Sequence, residues 1–373
     1  MAATRSNIAL KLADRWLGVP LLAAFAVQPK RPRPAPDAIR RIGLLKTAAI
    51  GDTLLLAGAF DDLRRTFPAA KFVMITGTDN AAAARLLSAS VDEQITISAR
   101  SPASAIRSVR AARLDVIIDF GSWPRFDALL AAASGARFRL GFRTSGQYRH
   151  FGYDVTVPHS NTVHERENYR RLLAALGVDT RMPAVIERPG VLAANRYPAS
   201  PYVVLHPWAG GYRHEVKEWP PSRWIELGRM LRARGFHVAL SGGPSEREAA
   251  AKLANAFQAA GADTIDLSGT LSLAELADIL VGSEIVVSVN TGIMHMAALL
   301  GAPTVGLHGP TSATRWGPVG RRVRSVTSTL SGCPYLNLGF EYAGHRTDCM
   351  DGISVEMVVA AIDELLADGA SRA

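Results

Sequence analysis

Cysteine is scarce in this sequence: Cys333 and Cys349 are the two it has, too few for a disulfide framework or a four-thiolate zinc site. Such scarcity suits a reducing cytoplasm, where ordinary packing is the expected role of both thiols, and the spacing alone leaves their pairing open. Glycine is plentiful, yet no GxGxxG fingerprint occurs, so a nicotinamide or flavin site has little support. Long apolar runs are missing too. The best, "WLGVPLLAAFAV" from Trp16 to Val27, is twelve residues interrupted by Pro20, too short to span a bilayer as a helix. Aromatic residues make up 7% and form no stacking ladder, and no helix-turn-helix or zinc-finger pattern is present. The net charge of +9 therefore does not point to nucleic acid.

What is present is an ordinary globular balance, 48% apolar and 20% charged over 373 residues, enough chain for two domains with sizeable cores. The positive charge is concentrated. Residues 1–40 carry seven Lys/Arg against two Asp, and "SGARFRLGFRTSGQYRH", Ser134 to His150, carries four arginines and no acid. Both resemble contact surfaces for an anionic partner, with phosphorylated lipid or sugar at least as suitable as nucleic acid. With Lys11 and Arg15 before it and "KRPR" after it, the amino-terminal apolar stretch (residues 1–35) is expected to be an uncleaved helix lying in the interface of an anionic membrane. A signal peptide cleaved near "AFA" (Ala24 to Ala26) and a plain packing helix are the rivals.

Beyond the Pro-rich "KRPRPAPDA" the chain alternates short apolar runs with helical stretches. Strands are expected at 41–46, 71–76, 94–97, 115–120 and 138–142. After a Pro-rich boundary at 181–200 they are expected again at 202–207, 236–243, 263–269, 284–289 and 303–309. Near-continuous apolar strands separated by helices indicate parallel sheets covered on both faces. The expected fold is α/β with two Rossmann-like domains facing across a cleft, residues 36–190 and 191–352. A terminal helix in 353–373 is expected to pack back over the seam.

Such sheets bind ligands beyond the carboxyl ends of their strands, and several polar turns fall there. In "VVSVNTGIMHMAALLG" a strand gives way to Asn290, Thr291 and Gly292 before a helix, whose free N–H groups and positive dipole end suit a diphosphate. His295 lies one turn beyond Thr291 on the same face. "LHPWAGGYRHEVKEWP" supplies Gly210, Arg213, His214 and Lys217, with Lys217 a candidate point charge against a departing diphosphate. "LSGGPSE" brings Gly242 and, at a helix start, Glu246, where a carboxylate can accept ribose hydroxyls or simply stabilise the helix. In the first half, "LLKTAAIGDTLLLAGAF" puts Asp52 at a helix start, as a cap or as a base for a sugar hydroxyl.

Taken together, "KTAAIGDTLLL", "LHPWAG", "VKEWPPSRWIELGRML", "LSGGPSE", "LSGTLSLAELADILVGSEIVVSVNTGIMHMAALLGAPTVGLHGP" and "HERENYRRLLAALG" resemble glycosyltransferase family 9, which contains the ADP-heptose:lipopolysaccharide heptosyltransferases. The similarity runs in order from about residue 41 to the carboxyl terminus. It implies a GT-B fold and metal-independent, inverting transfer, and the absence of any Asp-x-Asp motif agrees. It further implies Asp52 as general base, Lys217 as the cation on the leaving diphosphate, Glu246 as the ribose contact, and Thr291, Gly292 and His295 as the diphosphate turn. The family's well-studied members carry aspartate where this chain has Asn290, which bears on the donor sugar. Arg137, Arg139 and Arg143 are the expected acceptor contacts, pairing with lipid or core phosphates.

The expected protein is thus a cytoplasmic transferase, peripheral on the inner membrane face. It would move heptose from ADP-heptose to a lipopolysaccharide core or related phosphorylated glycolipid, with no metal and no nucleic-acid partner. Another nucleotide-sugar enzyme of the same fold, with a different donor or acting as an epimerase, and a non-catalytic nucleotide or glycolipid binder are the alternatives.

Overall fold

The computed structural model describes residues 8–370 except 263, 339 and 340, without the side chains of 8–11, 88, 369 and 370. Residues 1–7 and 371–373, the Lys11 side chain and Asp263 at the head of an expected strand lie outside the described residues. The chain divides into two compact units, Met1–Ala184 and Val185–Ala373, inside the Pro-rich stretch where a boundary was expected and slightly before residue 190.

The first unit runs α1 (Ile8–Ala26), β1 (Arg41–Lys46), α2 (Ile50–Leu54), α3 (Ala57–Thr66), β2 (Lys71–Gly77), α4 (Ala81–Arg85), β3 (Glu93–Ile97), α5 (Pro102–Ala111), β4 (Val116–Asp119), α6 (Arg125–Ala133), β5 (Phe138–Arg143), β6 (Val155–Pro158) and α7 (Glu165–Ala174). The second runs β7 (Tyr202–His206), α8 (Pro221–Ala233), β8 (His237–Leu240), α9 (Arg247–Ala259), β9 (Thr264–Asp266), α10 (Leu273–Val281), β10 (Ile285–Val289), α11 (Gly292–Leu299), β11 (Thr304–His308), α12 (Ala313–Trp316), β12 (Val323–Thr327) and α13 (Val355–Ala370).

Each unit holds a six-stranded sheet, in the orders β3-β2-β1-β4-β5-β6 and β12-β11-β10-β7-β8-β9, with every pairing parallel. Counted within its own unit, each sheet follows the doubly wound order 3-2-1-4-5-6, whose switch point lies between strands one and four. Central strands such as β7, β10 and β11 are buried along their whole length, because helices cover both faces. The edge strands β6 and β12 are half exposed. Lacking a continuous apolar run, they were not among the expected strands.

The amino-terminal segment differs from expectation in where its basic residues lie. Helix α1 extends back to Ile8 and passes through Pro20, docking on α6: Leu22 is buried, Asp14 accepts the Phe126 N–H at 2.9 Å and pairs with Arg125 at 3.3 Å. Its other side leaves Leu12, Trp16, Leu17 and Leu21 exposed, Trp16 to 70%. The following basic residues were expected on head groups, but Lys30 donates to the Tyr153 carbonyl at 2.6 Å and Arg31 to that of Ala136 at 2.6 Å, pinning the linker to the first unit. No helix among the described residues is long and apolar enough to cross a membrane.

Helix α13, expected over the seam, packs on β12, β11 and α8 of the second unit. Trp219 and Trp224 meet edge to face there, centroids 5.1 Å apart, and the Trp219 indole N–H reaches the Ile353 carbonyl just before α13 at 2.9 Å.

Candidate active site

In the second unit the expected donor residues gather at the carboxyl ends of adjacent strands. The loop after β7 carries Gly210, Arg213 and Lys217, the turn after β10 carries Asn290 and Thr291, and the turn after β8 carries Gly242 and Glu246. Since β7 and β10 are neighbours, the lysine loop and the Thr-Gly turn flank the switch point, where an open α/β sheet leaves a crevice. Thr291 stands at the N-terminus of α11 and makes no capping bond with its side chain. Gly292 opens α11, and His295 is buried one turn along.

The lysine loop is folded on itself. Lys217 Nζ donates to the Gly210 carbonyl at 2.6 Å, and the Glu218 carboxylate accepts from Ala209 N–H at 3.2 Å and meets His214 at 2.8 Å. Arg213, in the left-handed region at φ 48°, lies over the Tyr342 ring at 5.5 Å. Burial pushes His206, at the end of β7, down to about 4, so its imidazole is neutral and positive charge here falls to Lys217 and Arg213.

Tyr342 belongs to an irregular segment joined by a disulfide between Cys333 and Cys349, with Cα atoms 6.0 Å apart. This corrects the expectation of separately packed thiols. The segment buries Tyr335, Leu336 and Tyr342 against Val216, and the Tyr342 hydroxyl donates to the Tyr212 carbonyl at 3.0 Å. The cross-link therefore backs the lysine loop.

Asn290 is committed inward. Its amide Nδ2 donates to the Trp316 carbonyl at 3.3 Å and meets His308 at 3.2 Å. An aspartate could not donate to that carbonyl. Glu246 caps its own turn, accepting from Gly243 N–H at 2.7 Å and from Ser245 Oγ at 2.6 Å, so the helix-start reading holds and any ribose bond would use its remaining lone pairs. Gly242 is required by close packing: a Cβ there would lie 2.9 Å from Ser268 Oγ and from Trp208 Nε1. These two polar atoms are buried and without a hydrogen-bond partner among the described residues, which makes Trp208 and Ser268 further candidates for the site that sequence alone did not single out. Their signal was position alone, just past β7 and β9.

In the first unit Asp52 lies in the first turn of α2, after β1, with Lys46 Nζ 3.3 Å from Oδ2. The Lys46 ammonium also donates to the Phe120 carbonyl at 3.2 Å and faces the Tyr169 ring at 5.5 Å. β1 and β4 are neighbours, so Asp52 too stands at a switch point.

The expected acceptor arginines separate. Arg143 ends β5 at the carboxyl edge and is exposed. Arg139 is buried and spends its guanidinium on Asp154, at 3.0 and 2.8 Å. Arg137 precedes β5 at the opposite end of the sheet, 3.7 Å from Asp115. Arg149, from the same basic stretch, is buried against Asp119. The even spread of arginines in sequence hid that two are structural partners of strand-end acids, and the signal available was Asp119 ending the apolar run "DVIIDF".

Comparison with known proteins bears on the family and the fold. Residues 103–337 match the model of glycosyltransferase family 9 (heptosyltransferase). Lipopolysaccharide heptosyltransferase 1 of Pseudomonas aeruginosa is 34% identical over 190 residues, 50% of this chain and 51% of that protein, so the match spans about half of that relative's length. The Salmonella typhimurium protein of the same name is 28% identical over 310 residues, 77% of this chain and 94% of its own. The structure of the Escherichia coli ADP-heptose lipopolysaccharide heptosyltransferase II superposes with a TM-score of 0.68 at 21% identity, covering 89% of this chain and 99% of that one. With two doubly wound sheets of the GT-B fold class and a family match over more than half its length, this chain is a glycosyltransferase belonging to family 9.

Proposed function

We propose that this protein transfers heptose from ADP-heptose to a lipopolysaccharide core acceptor with inversion at the anomeric carbon, working on the cytoplasmic face of the inner membrane. The observation that carries the donor half is the adjacency of the Lys217 loop and the Asn290-Thr291-Gly292 turn at the β7/β10 switch point. There a lysine and a helix N-terminus can receive the two phosphates of ADP. Asp52 accepts the proton of the attacking acceptor hydroxyl. As the new bond to the anomeric carbon forms, the bond to the diphosphate oxygen breaks, and ADP leaves with the electron pair. Lys217 and the start of α11 stabilise the charge that grows on the leaving group, and they favour the transition state because that charge is largest there. No step of this route calls on a metal. Arg143 is the acceptor-side cation, suited to a phosphate of the glycolipid.

Peripheral attachment is assigned to the exposed row Leu12, Trp16, Leu17 and Leu21 of α1, with Arg15 beside Trp16 at 5.9 Å. Aromatic and aliphatic groups with an adjacent cation suit the interface of an anionic bilayer.

The deciding experiment is calorimetric titration of ADP, UDP and GDP into the purified protein, with and without EDTA, alongside Lys217→Ala. Selective ADP binding that survives EDTA and weakens in the variant is expected. Preference for UDP or GDP would keep the fold and discard ADP-heptose. Asp52→Ala should abolish transfer while ADP still binds; a protein that binds but never transfers would have no rate to lose.

A further inference from the structure

Beneath the loop that carries Asp52 lie two buried carboxylates that the reaction above does not use. Asp119 ends β4 and Asp127 sits in the first turn of α6, both buried. They flank Gly121, where a Cβ would lie 2.8 Å from Asp127 Oδ2 and 2.9 Å from Asp119 Oδ1. Their surroundings differ. Asp119 accepts from Gly121 N–H at 2.7 Å and from the Tyr153 hydroxyl, and it pairs with the buried Arg149 guanidinium. For Asp127 the hydrogen-bond donor among the described residues is the Thr47 hydroxyl, 2.7 and 2.8 Å from its two oxygens.

A buried carboxylate with a single hydroxyl donor is costly, and an apolar side chain of similar size would pack there more cheaply. What it obtains is a hold on one loop. Thr47 follows Lys46, which contacts Asp52 and the Phe120 carbonyl. The loop from 46 to 52 is thus fixed to β4 by its lysine and to α6 by its threonine. The α6 turn is itself held from outside, since Asp14 of α1 accepts the N–H of Phe126 and pairs with Arg125.

We propose that Asp127 is a positioning residue for transfer: through Thr47 it fixes the loop that aims Asp52. This inference rests on Asp52 being the base. Asp127 touches no reacting atom, so its removal should slow the chemical step and leave ADP-heptose binding nearly unchanged.

The pH response separates positioning from mere folding. Burial, with the adjacent Asp119 charge, pushes the Asp127 carboxyl up to about 7, while Arg149, Thr47 and Lys46 pull the other way. Those four groups face it from β4, the 149–152 turn and the strand β1 with its loop. Above that pH the carboxylate accepts a charge-assisted bond from Thr47; below it, a neutral acid offers a weaker one. The rate should therefore rise with pH through about 7 in the wild type, and Asp127→Asn should lose that inflection.

The test is steady-state ADP release from ADP-heptose with a heptose-free lipopolysaccharide acceptor, for the wild type, Thr47→Val, Thr47→Ser, Asp127→Ala, Asp127→Asn, the Thr47→Val/Asp127→Ala pair and Asp52→Ala. Thr47→Val and Asp127→Ala should each lower kcat by about 10- to 100-fold with the donor KM within about twofold, the loss that a misaimed group produces. The pair should be no slower than either single variant, because both remove one bond. Thr47→Ser, which keeps the hydroxyl, should stay within about threefold of the wild type. Thr47→Val is nearly isosteric, and circular dichroism checks that it folds. If Thr47→Val and the Asp127 variants keep the wild-type rate and pH profile while Asp52→Ala is inactive, the positioning role is overturned and the base stands. If Asp52→Ala retains full transfer, the base reading falls and takes this proposal with it.

Discussion

At the scale of single residues, charge in this protein is spent according to burial. Asp127 illustrates the sign. Its carboxyl is raised to about 7 in the folded chain against an ordinary value near ~4 in the unfolded one. The folded state therefore holds this proton more tightly, and the stability it confers is present below about pH 4 and lost as pH rises through about 7. Asp127→Asn removes the titration, so its melting temperature relative to wild type should be higher at pH 8 than at pH 5; an offset that does not change with pH would contradict this. Gly242 makes a second case. Gly242→Ala drives a methyl into Trp208 and Ser268, and the expected result is at least a ~10-fold loss of ADP affinity with a modest fall in stability, about 1–3 kcal/mol for overpacking, both read in one calorimetric series. A variant with unchanged affinity would separate Trp208 and Ser268 from the donor site.

At the scale of elements, two segments are held by partners distant in sequence. Helix α1 rests on α6 through Leu22, which is fully buried, so Leu22→Ala should cost about 2–5 kcal/mol, visible as a lower denaturation midpoint for the first unit. Trp16→Glu, on the opposite exposed side, should leave that midpoint in place and reduce co-sedimentation with anionic vesicles; equal sedimentation would remove the membrane role of this row. The Cys333–Cys349 bridge spans a sequence separation of 16, and closing a loop of that size is worth about 3 kcal/mol in the chain-entropy account. Cys333→Ser should lower stability by that order under non-reducing conditions. Dithiothreitol should do the same to the wild type and nothing further to the variant, and it should loosen the lysine loop enough to weaken ADP binding.

At the scale of the whole molecule, one strand order is used twice, and each copy has candidate site residues at its own switch point. The proposed donor residues all belong to the second unit, so, on that reading, ADP at about 100 times its dissociation constant should raise that unit's stability by about 2.7 kcal/mol. The transition of the first unit should stay where it is. Scanning calorimetry with and without ADP checks this, and a shift in the first unit's transition alone would place the nucleotide elsewhere.

The central strands, the parallel sheets, the boundary region and the place of the polar turns after their strands were legible in sequence. Their signals are local: a strand covered on both faces must be a continuous apolar run, and a ligand turn on such a sheet must follow the strand's carboxyl end. Of the four edge strands, β6 and β12 escaped, since threonine, proline, arginine and serine interrupt their apolar residues. The stretch 134–150 offered four equivalent arginines. Only the packing decided that Arg139 and Arg149 neutralise Asp154 and Asp119, that Arg137 lies at the far end of the sheet, and that Arg143 remains at the carboxyl edge. The same holds for Thr47 and Asp127, eighty residues apart, and for the pairing of the cysteines. Periodicity and turn chemistry act between near neighbours and are written in sequence, whereas the partner of a buried charge or thiol is set by which distant strand and helix ends the fold brings together.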